Sequence, residues 1–116
     1  MKETPITVVS TTNRAGSLSA QVAVHYATLL QQKGHASQVL SLSELPADFT
    51  ATALYEYQGQ HAGFNRFRTM MEVSQKYVFI VPEYNGSFPG VFKAFIDGLQ
   101  FPDTFKGKKC ALVGLS

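Results

Sequence analysis

Tyr77 to Val81 is an unbroken run of aromatic and β-branched residues. A strand with one face in water alternates polar with apolar side chains. A run without alternation is instead expected where both faces are covered, as in a parallel sheet between helical layers. Pro82 has no N–H to give to a ladder, so pairing is expected to stop there. The chain then passes through Glu83-Tyr84-Asn85-Gly86-Ser87-Phe88, and Pro89 suits the first turn of a helix, where a missing N–H would have had no partner. Strand, loop and helix start follow in succession, and open α/β sheets place ligands at the carboxyl ends of their strands, where this loop emerges. Tyr84 offers a flat amphipathic ring, Asn85 an amide that both donates and accepts, and Gly86 a backbone that a ligand can approach closely. On spacing alone, the stretch is equally a plain structural joint.

A second unit of the same kind opens the chain. Ile6-Thr7-Val8-Val9 is a short β-rich run, followed by Ser10-Thr11-Thr12-Asn13-Arg14-Ala15-Gly16-Ser17-Leu18-Ser19. From Leu18 onward Val22, Tyr26, Leu29 and Leu30 recur at helical spacing, with Ser17 a candidate N-cap and Lys33-Gly34 a candidate stop. A helix N-terminus carries unpaired N–H groups and partial positive charge, and so favours a phosphate. Ser10, Thr12, Ser17 and Ser19 can add hydroxyls there, and Arg14 a charge. Alone, the segment also reads as an ordinary capped loop. Neither G-x-G-x-x-G nor G-x-x-x-x-G-K-[ST] occurs in it, which argues against a dinucleotide fingerprint and a P-loop.

Both segments together resemble the NADPH-dependent FMN reductase family, flavodoxin-like proteins that include flavin, quinone and azo-compound reductases. Val81-Pro82-Glu83-Tyr84-Asn85-Gly86-Ser87-Phe88-Pro89-Gly90 is similar to that family's hallmark loop and Ser10 to Ser19 to its phosphate loop, and the likeness runs through essentially the whole chain in order. Thr11 stands where related sequences often carry glycine. The resemblance implies FMN held by Ser10, Thr12, Asn13, Arg14, Ser17, Leu18 and Ser19 at the phosphate, and by Pro82, Glu83, Tyr84, Asn85, Gly86 and Ser87 at the ring. The backbone N–H groups of Tyr84, Asn85 and Gly86 would meet the flavin's polar edge, and the Tyr84 ring would pack on the isoalloxazine. It further implies NADPH or NADH as hydride donor, a small flavin, quinone or azo acceptor, and a homodimer or homotetramer. No catalytic side chain or metal is then needed, because the flavin carries the hydride chemistry. The alternatives are a flavin-binding electron-transfer module without NAD(P)H reductase activity, and a chain that binds nothing.

The implied fold is α/β, a flavodoxin-like open parallel sheet with helices on both faces. Family members have strand order 2-1-3-4-5, and this chain is expected to show 2-1-3-4 as one domain over residues 1–116. Family members normally continue past the fourth strand, so the chain reads as shortened, with strand 4 exposed. Ser37 to Leu42 reads as an edge strand, and Lys109 to Leu115 as the fourth. Between them Ser43 to Ala62 reads as a long connection with Tyr55 and Tyr57 packed beneath it. Phe64, Phe67, Met70 and Met71 mark a core-facing helix, and Val91, Phe92, Phe95, Ile96 and Leu99 another. Lys93 and Asp97 are placed for a surface pair on it.

Composition narrows the partners. A net charge of +2, with no basic cluster longer than Lys106-Gly107-Lys108-Lys109, gives no reason to expect nucleic acid or a membrane surface, and that cluster reads as a solvated turn. No apolar run reaches the length of a membrane span, and Met1 to Thr4 leads into the first strand without a leader-like segment, so the expected location is cytoplasmic. His25, His35 and His61 lack metal-ligand spacing. Cys110 is the only cysteine, and its apolar setting suggests a buried structural thiol.

Overall fold

A computed structural model describes residues 3–52 and 58–116; Tyr55, Glu56 and Tyr57 lie outside the described residues. Four strands, β1 (Ile6–Ser10), β2 (Ser37–Ser41), β3 (Lys76–Pro82) and β4 (Lys109–Leu115), form one parallel sheet in the order β2-β1-β3-β4. The order expected from the sequence is the one observed. Among the described residues four α-helices connect the strands: α1 (Leu18–Gln32) after β1, the short α2 (Phe49–Thr52) and α3 (Ala62–Val73) between β2 and β3, and α4 (Gly90–Asp97) after β3. A single 3₁₀ turn, Leu42–Glu44, follows β2.

The sheet is covered on both faces, which is why its central strands lack polar alternation. On one face Val8, Val78 and Ile80 pack against Ala23 and Ala27 of α1, with Val22, Tyr26 and Leu30 around them. On the other, Val9, Leu40, Tyr77 and Phe79 meet Phe64, Phe67 and Met71 of α3 and Phe95 of α4. Small residues form the centre of the α1 contact, so Leu29, expected on that face, is left exposed, as is Leu18. Ser17 caps α1 as expected, accepting from the Ala20 N–H at 3.1 Å, and the helix ends at Lys33 before Gly34, whose φ of +88° closes it. His61 has a role not expected of it: its Nδ1 accepts the Phe64 N–H at the start of α3.

β3 ends at Pro82, as expected, with Pro82 opposite Leu115, and one further bond runs from the Glu83 N–H to the Leu115 carbonyl at 2.9 Å. Two expectations are corrected. Cys110 is exposed rather than buried: β4 is the outer strand, and its first four residues face solvent. The basic cluster is not simply a solvated turn, for the Lys108 ammonium donates to the Met71 and Glu72 carbonyls and to the Tyr77 hydroxyl, closing the carboxyl end of α3.

Tyr77 is 2% exposed, and its hydroxyl donates to the Met71 carbonyl. Burial, reinforced by Glu72, pushes its pKa up from 10.0 to about 12. The folded state therefore holds this proton more tightly than the unfolded chain. The resulting stability is fully present below pH 10 and is lost as pH rises from 10 through 12, a loss of about 2 to 3 kcal/mol. Burial lowers the Lys108 pKa, which acts with the opposite slope and partly masks the loss. Urea unfolding followed from pH 9 to 12 is expected to show stability falling more steeply with pH in the wild type than in Tyr77→Phe. Equal slopes would contradict this account of the buried hydroxyl.

Candidate functional site

Because β1 lies between β2 and β3, the chain leaves β1 toward one side of the sheet and later leaves β3 beside it. Ser10 is level with Ile80, and the Thr11 N–H donates to the Ile80 carbonyl at 3.1 Å, so the loops that follow β1 and β3 start side by side at the carboxyl edge. This is the position where an open α/β sheet divides and leaves a crevice for a ligand.

The loop after β1 has a buried floor and an exposed lip. Ser10, Thr11 and Thr12 are buried, whereas Asn13, Arg14, Ala15 and Gly16 are exposed. The Thr11 hydroxyl donates to the Ile80 carbonyl at 2.8 Å, so this side chain ties β1 to β3. Ser10 Oγ is buried without a hydrogen-bond partner among the described residues, which is costly for a hydroxyl unless something completes it. Ser17 and Ser19 are buried at the start of α1, and Leu18 is exposed between them. Ser17 serves the Ala20 N–H, while the N–H groups of Leu18 and Ser19, in the first turn, have no acceptor within the helix. Arg14 takes part in none of the ion pairs found among the described residues. At Gly16, φ is +63° and a Cβ would meet nothing within 4 Å, so the lip is open. An unsatisfied hydroxyl, two free N–H groups and an unpaired guanidinium fit a phosphate monoester. The FMN phosphate is such a group.

The loop after β3 is a hairpin. The Tyr84 N–H donates to the Ser87 carbonyl at 2.9 Å and the Ser87 N–H returns to the Tyr84 carbonyl at 3.1 Å. Asn85 and Gly86 lie between them with φ of +54° and +77°, the left-handed pair that a type I′ turn demands and that Asn-Gly supplies most readily. The Glu83 carboxylate accepts the Gly86 N–H at 2.5 Å and braces the turn. Two of the three backbone N–H groups expected to meet the flavin edge, those of Tyr84 and Gly86, are therefore bound within the hairpin. Pro82 is half-buried at the end of β3, and Glu83 to Ser87 are exposed. Pro89 stands just before α4 as its N-cap, one position earlier than expected. Beside the hairpin, Pro82, Glu83, Ser87, Phe88, Leu112 and Leu115 line an open concavity of about 430 Å³.

The two loops touch through side chains: Thr12 Oγ1 lies 2.5 Å from the Tyr84 hydroxyl. Nothing in the sequence signals this contact between residues 72 positions apart. The turn chemistry of Asn85-Gly86, by contrast, is a signal that the sequence does carry. Among the described residues no cluster of three or more His, Cys, Asp or Glu could hold a metal, and no helix is long and apolar enough to cross a membrane.

The family model described as NADPH-dependent FMN reductase matches residues 4–116. An NAD(P)H-dependent FMN reductase of Pseudomonas aeruginosa is 36% identical over 76 residues, covering 60% of this chain and 41% of that protein. Among solved structures, the apo form of an NADH:FMN oxidoreductase (EMOB) superposes with a TM-score of 0.73 at 20% identity, over 95% of this chain and 58% of its own. FerB, a flavoenzyme NAD(P)H:(acceptor) oxidoreductase from Paracoccus denitrificans, gives 0.72 at 24% identity, over 97% and 61%. The structural likenesses establish a shared fold, and the chain spans less than two thirds of the length of each of these relatives.

Proposed function

We propose, from the premise that this chain belongs to the NADPH-dependent FMN reductase family, that it binds FMN across the two loops and passes hydride from NADPH or NADH to a small flavin, quinone or azo acceptor. The observation that carries the reading is the placement of a phosphate-suited loop and a tyrosine-bearing hairpin at the carboxyl ends of the neighbouring strands β1 and β3. Ser10, Thr12, Asn13, Arg14, Ser17, Leu18 and Ser19 form the phosphate end; Pro82, Glu83, Tyr84, Asn85, Gly86 and Ser87 form the ring end.

FMN, when bound, supplies the hydride chemistry, which leaves this chain to bind, orient and shield. The α1 N-terminus and Arg14 counter the phosphate charge. Tyr84, 36% exposed, offers its ring as a stacking surface carried on the hairpin. The concavity beside the hairpin is within the range of small-ligand sites and has an apolar lining in Phe88, Leu112 and Leu115. An assembly of two or four copies belongs to the same proposal, supported by Phe88 and Phe101, large apolar side chains exposed on either side of α4.

Steady-state oxidation of NADPH and NADH, with FMN present and a quinone as acceptor, tests the reading. Turnover that requires both FMN and the acceptor is expected. FMN bound without any oxidation of either nucleotide would favour an electron-transfer module, and the reductase reading would fail.

A further inference from the structure

Thr12 is 1% exposed, and its single hydroxyl oxygen serves both halves of the site. It accepts the Arg14 backbone N–H at 3.1 Å and shares a hydrogen bond with the Tyr84 hydroxyl at 2.5 Å. One hydroxyl has one donor and two acceptor positions, so both contacts can be made together. On each side of Thr12 lies an otherwise exposed element. Asn13 to Gly16 form the lip of the first loop, and Glu83 to Phe88 form the hairpin. The hairpin's backbone bonds fix its own turn but not its attitude toward the first loop. The Thr12–Tyr84 bond is the side-chain hydrogen bond that spans the two.

We infer that Thr12 is a positioning residue which couples the phosphate end of the site to the Tyr84 ring. The inference rests on the flavin reading above and names how the site discriminates between flavins. Anchoring Arg14 on a phosphate steadies the Thr12 hydroxyl, which steadies the Tyr84 ring. A flavin without the phosphate leaves the lip unanchored, and the ring is then ordered at the ligand's expense. Selectivity for FMN over riboflavin thus has two sources, the direct phosphate contacts and this indirect ordering. The Tyr84 hydroxyl faces Thr12 and acts on the ligand through the ring it orients.

The test measures dissociation constants for FMN and riboflavin in the wild type, Thr12→Val, Thr12→Ser, Tyr84→Phe and the Thr12→Val/Tyr84→Phe double variant. Thr12→Val is expected to weaken FMN binding about tenfold and riboflavin binding about twofold, and Tyr84→Phe to do the same more mildly. Because both act on one bond, Tyr84→Phe should add almost nothing in the Thr12→Val background. Thr12→Ser keeps the hydroxyl and should stay within about twofold of the wild type. If Thr12→Val does not fold, Tyr84→Phe, altered at a partly exposed loop residue, compared with Thr12→Ser carries the same contrast. Additive losses, or an FMN-to-riboflavin ratio unchanged in the variants, would overturn the coupling while leaving the flavin site standing. A wild type that binds neither flavin would overturn the flavin reading, and this inference with it.

Discussion

Phe64→Ala is expected to remove a large share of the stability of the fold, about 3 to 5 kcal/mol out of a typical 5 to 15. The Phe64 side chain, 1% exposed, stands where three elements meet. Its ring stacks on Phe49 with centroids 5.5 Å apart, tilts against Phe95 at 5.9 Å, and lies over the backbone at Gly98, just past α4. A Cβ built on Gly98 would fall 2.5 Å from Phe64 Cζ, closer than real carbon atoms approach. The limit on size at Gly98 therefore comes from packing rather than from backbone conformation, since its φ of −81° is open to any residue. Gly98→Ala should cost about 1 to 3 kcal/mol in the wild type, because Phe49 and Phe95 leave the ring no room to retreat. In a Phe64→Leu background most of that cost should vanish. Urea unfolding of the two single variants and the double variant gives the coupling directly, and strict additivity would mean that the ring and the glycine do not compete for the same space.

Arg14→Ala is expected to weaken FMN binding by about 1.5 to 3 kcal/mol, roughly ten- to a hundredfold, while leaving riboflavin binding and the melting temperature nearly unchanged. The expectation follows from where Arg14 sits. It is exposed on the lip of the first loop, outside the ion pairs found among the described residues, so the fold does not depend on its charge. A charge-assisted hydrogen bond to a phosphate is among the stronger polar contacts, and guanidinium matches phosphate geometry. Fluorescence titration of both flavins with wild type and variant measures the effect. An equal loss for FMN and riboflavin would place Arg14 in loop support instead of phosphate recognition.

A strand buried on both faces could be read from the unbroken apolar run of residues 77 to 81 and a second strand from the β-rich residues 6 to 9, while the strand order came with the family resemblance. The capped start of α1 was equally plain in Ser17, and its end in Lys33-Gly34. Side-chain size along the helix was harder to read. Val22, Tyr26 and Leu30 stood out by hydrophobicity, yet the closest approach to the sheet is made by Ala23 and Ala27, where a small side chain lets the backbones come near. The outer strand misled for a different reason: Cys110-Ala111-Leu112-Val113 has a core-like composition, but exposure depends on neighbours that the local sequence does not name. In the site, the residue types of both loops were visible while their connections were not. Asn85 and Gly86 stood out for their amide and their open backbone, while the tight turn they form, which uses the Tyr84 and Gly86 N–H groups internally, came from pairing across the loop. The Thr12 contact with Tyr84 arises only when β1 and β3 become neighbours.

The central claim is that the first loop recognises a phosphate and the hairpin a flavin ring, so that the two motifs act as one site. Paired titrations of the wild-type chain with FMN and with riboflavin, under one buffer and salt condition, test it most directly. The account predicts saturable binding of both, with FMN tighter by about tenfold or more. Equal affinity for the two flavins, or failure to bind either, would contradict it.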